Sequence, residues 1–146
     1  KTLDIDSEKK PDIVANLVEY EFPDRYDHIL SFEVFEHIPF SEFKEVIKKI
    51  SNIFNKNIFI SVPKNEKMWM QFDLQLPKIK KREFRLATRK NRIDTPAHFW
   101  EIDDGAVSIS DFEGELLKCG LTIVEKRKRF SRIFYALSGD KIPKIT

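Results

Sequence analysis

The sequence has 146 residues, 41% of them hydrophobic and 34% charged, with a formal net charge of +2. That is the composition of one ordinary globular domain, and no apolar run approaches the roughly 20 residues that cross a bilayer as a helix. Cys119 is the only cysteine, which excludes an internal disulfide and points to a reducing cytoplasm, with the thiol packed beside Leu116 and Leu117.

The chain starts at Lys1 rather than methionine and runs directly into a strand pattern, so further residues are expected upstream. Thr2 to Asp6 reads as a short strand ending in two carboxylates, and Asp12 to Ala15 as a second that ends at Asn16. A loop with Glu19, Glu21, Pro23 and Asp24 leads to a buried strand over His28 to Phe32. Phe43, Val46, Ile47, Ile50, Ile53 and Phe54 then fall on one helical face, with Ser41 expected as the N-cap. Ile58 to Val62 is apolar at nearly every residue, as a strand covered on both sides should be. Strand, helix and strand make one βαβ unit, and in open α/β sheets the carboxyl ends of such strands form the ligand crevice. The candidate site therefore falls at Phe32 to His37.

Residues 64–98 break the rhythm. They show no clean period and read as a loop or short-helix insertion carrying a basic run of Lys78, Lys80, Lys81, Arg82, Arg85, Arg89, Lys90 and Arg92. Ser110-Asp111-Phe112-Glu113 has the form of a capping box opening a helix through Leu117, and Gly120 stands where a glycine ends one. Leu121 to Lys126 and Arg132 to Leu137 suit an antiparallel hairpin. With no repeat and no low-complexity linker, residues 1–146 are expected to form a single domain.

Five strands of this spacing ending in a hairpin resemble the class I S-adenosylmethionine-dependent methyltransferases, closest to the type 11/12 small-molecule subgroup. The matching stretches are Leu3-Asp4-Ile5-Asp6-Ser7 (second strand), Pro11 to Leu17 (third), Tyr26 to Pro39 with its Phe-Glu-His (fourth), and His98-Phe99-Trp100-Glu101 ahead of the last helix. The resemblance implies an α/β, Rossmann-like, mostly parallel twisted sheet with a C-terminal antiparallel hairpin, and S-adenosylmethionine as cofactor. It places Asp4 on the ribose, Asn16 at the adenine, and Ser31, Phe32 and Glu33 along the cofactor side of the crevice. The family's first strand and its glycine-rich loop have no counterpart here: the four glycines stand at 105, 114, 120 and 139, none in a Gly-x-Gly after a strand.

Each of these residues also has a plainer reading. Asp4 and Asp6 are otherwise solvated turn acids, Asn16 a turn residue, and Phe32 core. Glu36 and His37 are either a substrate-side acid and base or a hydrogen-bonded pair fixing the loop. His98 to Glu101 is either a core plug around Trp100 or a lid. Methyl transfer to oxygen or nitrogen needs a proton removed, and His37 and His98 titrate in a suitable range. His28, His37 and His98 match no zinc spacing, so no metal is expected. A small-molecule acceptor is implied, and the basic run would suit an anionic one. The competing readings are a degenerate methyltransferase-like domain serving interactions, and an RNA-binding module using residues 78–92.

Overall fold

The computed structural model describes residues 1–90 and 92–139; Asn91, inside the basic run, and the end of the expected domain at 140–146 lie outside the described residues. Strands β1 (Leu3–Asp4) and β2 (Ile13–Val14) form a small parallel ribbon, Leu3 opposite Ile13 and Asp4 opposite Val14. Strands β3 (Tyr26–Phe32) and β4 (Phe54–Pro63) run parallel, joined by helix α1 (Phe40–Ile53). After the hairpin β5 (Glu66–Leu74) and β6 (Arg82–Arg89), helix α2 (Ile109–Lys118) leads into β7 (Leu121–Arg129) and β8 (Arg132–Gly139). The main sheet has the order β3-β4-β8-β7, with β8 antiparallel to both neighbours.

The βαβ unit and the terminal hairpin form as the sequence pattern predicts, but the sheet is mixed rather than mostly parallel. Only β3–β4 is parallel within the four-stranded sheet, because β8 inserts antiparallel between β4 and β7. The ribbon and β3 belong to separate sheets, leaving β3 as an edge with Leu30 64% exposed.

Both helices pack on one face. Phe43, Val46, Ile47 and Ile50 from α1 meet Phe112 and Leu116 from α2 over Ile58, Ile60, Ile133, Tyr135 and Leu137 of the sheet. Phe43 stacks on Phe112 at 5.0 Å, and Phe112 tilts against Tyr135 at 5.5 Å. β4 is covered on one face at Ile58, Ile60 and Val62 and on the other at Ser61, but Phe59 is only half-buried and with Phe32 and Phe134 lines an open groove of about 570 Å³ that includes the arginines at 127, 129 and 132.

Helix boundaries shift for local reasons. Pro39 (φ −53°, ψ 145°), not Ser41, is the N-cap of α1, and Ser41 already lies in the first turn. Residues 108–113 contain two overlapping Ser-x-x-acid patterns, and the working capping box is the upstream one: Ser108 caps Asp111, whose carboxylate accepts from the Ser108 N–H. Gly120 takes φ 71° just after α2, as expected of a glycine there.

Residues 66–89 are a two-stranded antiparallel hairpin, not a loop. It is pinned to the β7–β8 turn, where Arg129 pairs with Asp73, Arg85 donates to the Phe130 carbonyl and Ser131 to that of Glu66. Among the described residues no helix is long and apolar enough to cross a membrane.

Candidate functional site

The chain leaves β3 through a left-handed residue, Glu33 (φ 54°), an uncommon conformation for anything but glycine. Ser61 of β4 holds it: the Glu33 N–H donates to the Ser61 carbonyl and hydroxyl, and the Ser61 hydroxyl donates to Oε1 of Glu33 at 2.8 Å. Arg132 occupies Oε2 at 2.7 Å. A 3₁₀ turn follows over Phe35–His37. Phe35 is its anchor, fully buried with its ring 5.1 Å from Phe43. Burying Phe35 carries Glu36 inward with it, also to zero exposure.

The second half of the site comes from residues 97–104. Three hydrogen bonds bind this segment to the turn: the Phe99 N–H donates to the Glu36 carbonyl at 2.8 Å, the Trp100 indole to Ile38 at 3.0 Å, and His37 Nδ1 to Ala97 at 3.1 Å. Trp100 is buried between Phe40, Phe43 and Phe112. Asp104 organises the following loop, accepting from the N–H groups of Glu101, Ala106 and Val107. His98 and buried Glu101 pair at 3.0 Å through Nδ1. The segment is thus a core plug at Trp100, with Phe99 63% exposed beside it.

Together these elements bring Glu36, His37 and His98 close enough that one ligand atom from each lies within 4.8 Å of the others. The Ala97 carbonyl and the Glu101 carboxylate accept, so each histidine donates from Nδ1, which leaves Nε2 uncommitted by either contact. Glu36 differs from the other two because neither of its oxygens has a hydrogen-bond partner. Burial pushes its carboxyl up to about 7, with Glu33 and Glu101 adding to the rise. His28 is apart from this group, exposed on β3 beside Phe59.

The residues expected to meet a cofactor are more scattered. Asp4 ends β1, its oxygens held by the Asp6 N–H and by exposed Lys9, and these keep its carboxyl below the usual range. Asn16, just after β2, accepts the Val18 N–H on its side-chain oxygen. Ser31 pairs with Ile60 in the sheet, while half-exposed Phe32 tilts against Phe134 at 6.4 Å. The basic run lies in and beside the hairpin and is partly neutralised within the chain: Lys81 pairs with Asp73, Arg85 with Glu66, and Lys90 and Arg92 with Asp94. Ser61 and Arg132 have no place among the residues expected from sequence. The available signal was a serine inside the otherwise apolar run Ile60-Ser61-Val62.

No protein-family model and no curated protein matches the sequence. Solved structures do. An S-adenosylmethionine-dependent methyltransferase from Clostridium acetobutylicum ATCC 824 superposes with a TM-score of 0.57 at 12% identity, over 95% of this chain and 75% of that one. The glycopeptide N-methyltransferase MtfA, solved with S-adenosyl-L-homocysteine, gives 0.53 at 9% over 87% and 60%. Magnesium protoporphyrin IX methyltransferase from Synechocystis PCC 6803, solved with bound cofactor, gives 0.50 at 13% over 88% and 45%. The chain has the fold of the S-adenosylmethionine-dependent methyltransferases, class I. It spans 45 to 75% of the length of these three structures.

Proposed function

We propose that the chain belongs to an S-adenosylmethionine-dependent methyltransferase acting on a small-molecule acceptor. The observation that carries this reading is a site at the carboxyl end of β3, in a methyltransferase fold, where two histidines each keep a free Nε2.

The residues present fit the adenosine half of the cofactor. Asp4 is held on one side only by a solvent-exposed Lys9, a pairing worth little in water, so its carboxylate can turn to ribose hydroxyls. Asn16 commits its oxygen to Val18 and retains two N–H donors for an adenine edge. Phe32 supplies an apolar wall, with Ser31 and Glu33 flanking it. When bound, the cofactor supplies a sulfonium-activated methyl group. The chain's own work is to orient the acceptor and draw off its proton. His37 and His98 are placed for that, because their Nδ1 partners fix both rings and leave Nε2 uncommitted.

Calorimetric titration with S-adenosylhomocysteine tests the reading. Sub-millimolar binding that weakens about tenfold in Asp4→Ala, the loss of one charge-assisted hydrogen bond, supports it. No binding, together with a natural protein whose upstream residues lack the first strand and glycine-rich loop, replaces it with the degenerate, interaction-only domain. Half of the basic residues in 78–92 are paired within the chain, which weakens the RNA-binding alternative.

A further inference from the structure

The feature the methyl-transfer reading leaves unused is Glu36. A carboxyl with zero exposure and no partner on either oxygen is costly to bury and rare in a folded protein. It lies against the two histidines, with one ligand atom of each residue within 4.8 Å of the others. Donor atoms around one ion at about 2.1 Å sit roughly 3–4.2 Å apart, so side-chain shifts of less than about an ångström would close the set.

We propose that Glu36, His37 and His98 bind one divalent transition-metal ion, leaving at least one coordination position open. Four further points fit. Each imidazole has its Nδ1 proton anchored, on Glu101 for His98 and on the Ala97 carbonyl for His37, the arrangement that presents Nε2 to a metal and sharpens its basicity. The Phe99 N–H fixes the backbone of Glu36 itself. Two imidazoles and one carboxylate favour zinc, manganese, iron or cobalt over magnesium or calcium, which prefer oxygen alone. Three protein ligands are the number that catalytic sites use, whereas structural sites close with four.

The proposal goes beyond the methyl-transfer reading and does not rest on it. With an ion in place, an acceptor hydroxyl in the open position would become acidic enough to pass its proton to solvent water, and the two imidazoles would serve as ligands rather than as bases.

The test is titration of the metal-stripped full chain with Co²⁺, read by its visible d–d absorption, and by competition with Zn²⁺. One equivalent should bind, with bands typical of nitrogen and oxygen donors. His37→Ala, His98→Ala and Glu36→Gln should each weaken binding by on the order of 100-fold, and Glu101→Gln by about 10–100-fold. His28→Ala should bind as the parent does. Far-ultraviolet circular dichroism checks each fold, and His98→Gln serves where the alanine variant does not fold. The absence of Co²⁺ bands in the parent, or parent-like binding by His37→Ala and His98→Ala, overturns the proposal. Neither result bears on S-adenosylhomocysteine binding, so the two readings fail separately.

Discussion

The rings of His37 and His98 meet edge to face with centroids 5.0 Å apart, although one follows β3 and the other lies beyond the β5–β6 hairpin. The contact exists because the two backbones are tied together by Phe99 on Glu36 and by Trp100 on Ile38. The site is therefore built on the hydrophobic core, and its geometry depends on one indole.

Trp100 is the first residue to test. It is 1% exposed, touches three aromatic rings and donates to the Ile38 carbonyl. Trp100→Ala should cost about 3–5 kcal/mol through lost contacts and the cavity left behind. Trp100→Phe keeps most of the packing but leaves the carbonyl unpaired, for about 1–3 kcal/mol. Urea unfolding measures both, and equal losses would mean that the hydrogen bond, not the packing, dominates.

Much of this fold was legible in the residue pattern. The face of α1 and the βαβ unit follow from period and apolar runs, and Gly120 marks the end of α2. The β5–β6 hairpin escaped because a register irregularity between Met68 and Met70 breaks the alternation, and its large side chains face solvent on both sides, Trp69 at 59% and Phe84 at 46%. With no buried face there is no pattern to read. The site was half legible. Glu36, His37 and His98 each stand out in the sequence for their chemistry, but no spacing rule joins residues brought together by a crossover. The three histidines do not form the cluster: its third member is Glu36, and His28 lies on the strand.

Glu33 offers a test of backbone geometry. At φ 54° a side chain carries a steric cost that glycine does not. Glu33→Ala and Glu33→Gly both lose the links to Ser61 and Arg132, so the lost carboxylate cancels in the comparison. The glycine variant should be more stable than the alanine variant by about 1 kcal/mol, measured by thermal or urea unfolding. The reverse order would show that the left-handed turn is not retained.

The hairpin anchor should fail in acid. Hydrogen bonds from Arg129 and Lys81 lower the Asp73 carboxyl from 3.8 to about 2. A carboxylate whose folded value is depressed adds stability above its unfolded value, and that stability fades as pH falls through the folded one. The stability gap between the parent and Asp73→Asn should hold steady at neutral pH, shrink below about pH 4 and vanish only below about pH 2. Amide exchange across β5 and β6 reports it locally. A gap independent of pH would mean that the ion pairs contribute nothing.

Glu36 sets function against stability. In the ion-free chain its carboxyl is buried with neither oxygen hydrogen-bonded, so an apolar side chain of similar length should suit the position better. Glu36→Met should raise the stability of the ion-free protein by about 1–3 kcal/mol, because methionine fills the space without a polar group to satisfy. The same change removes the only carboxylate of the cluster and should abolish any stabilisation by Zn²⁺. In the parent, binding to the native state alone should raise the melting temperature as the ion concentration rises. The two melting curves should therefore cross: the variant is the more stable without metal, the parent the more stable with it. Differential scanning calorimetry with a chelator and then with Zn²⁺ measures both arms. A variant that is less stable in chelator would show that Glu36 is held by interactions within the chain, and its place in the core would then need no ion to explain it.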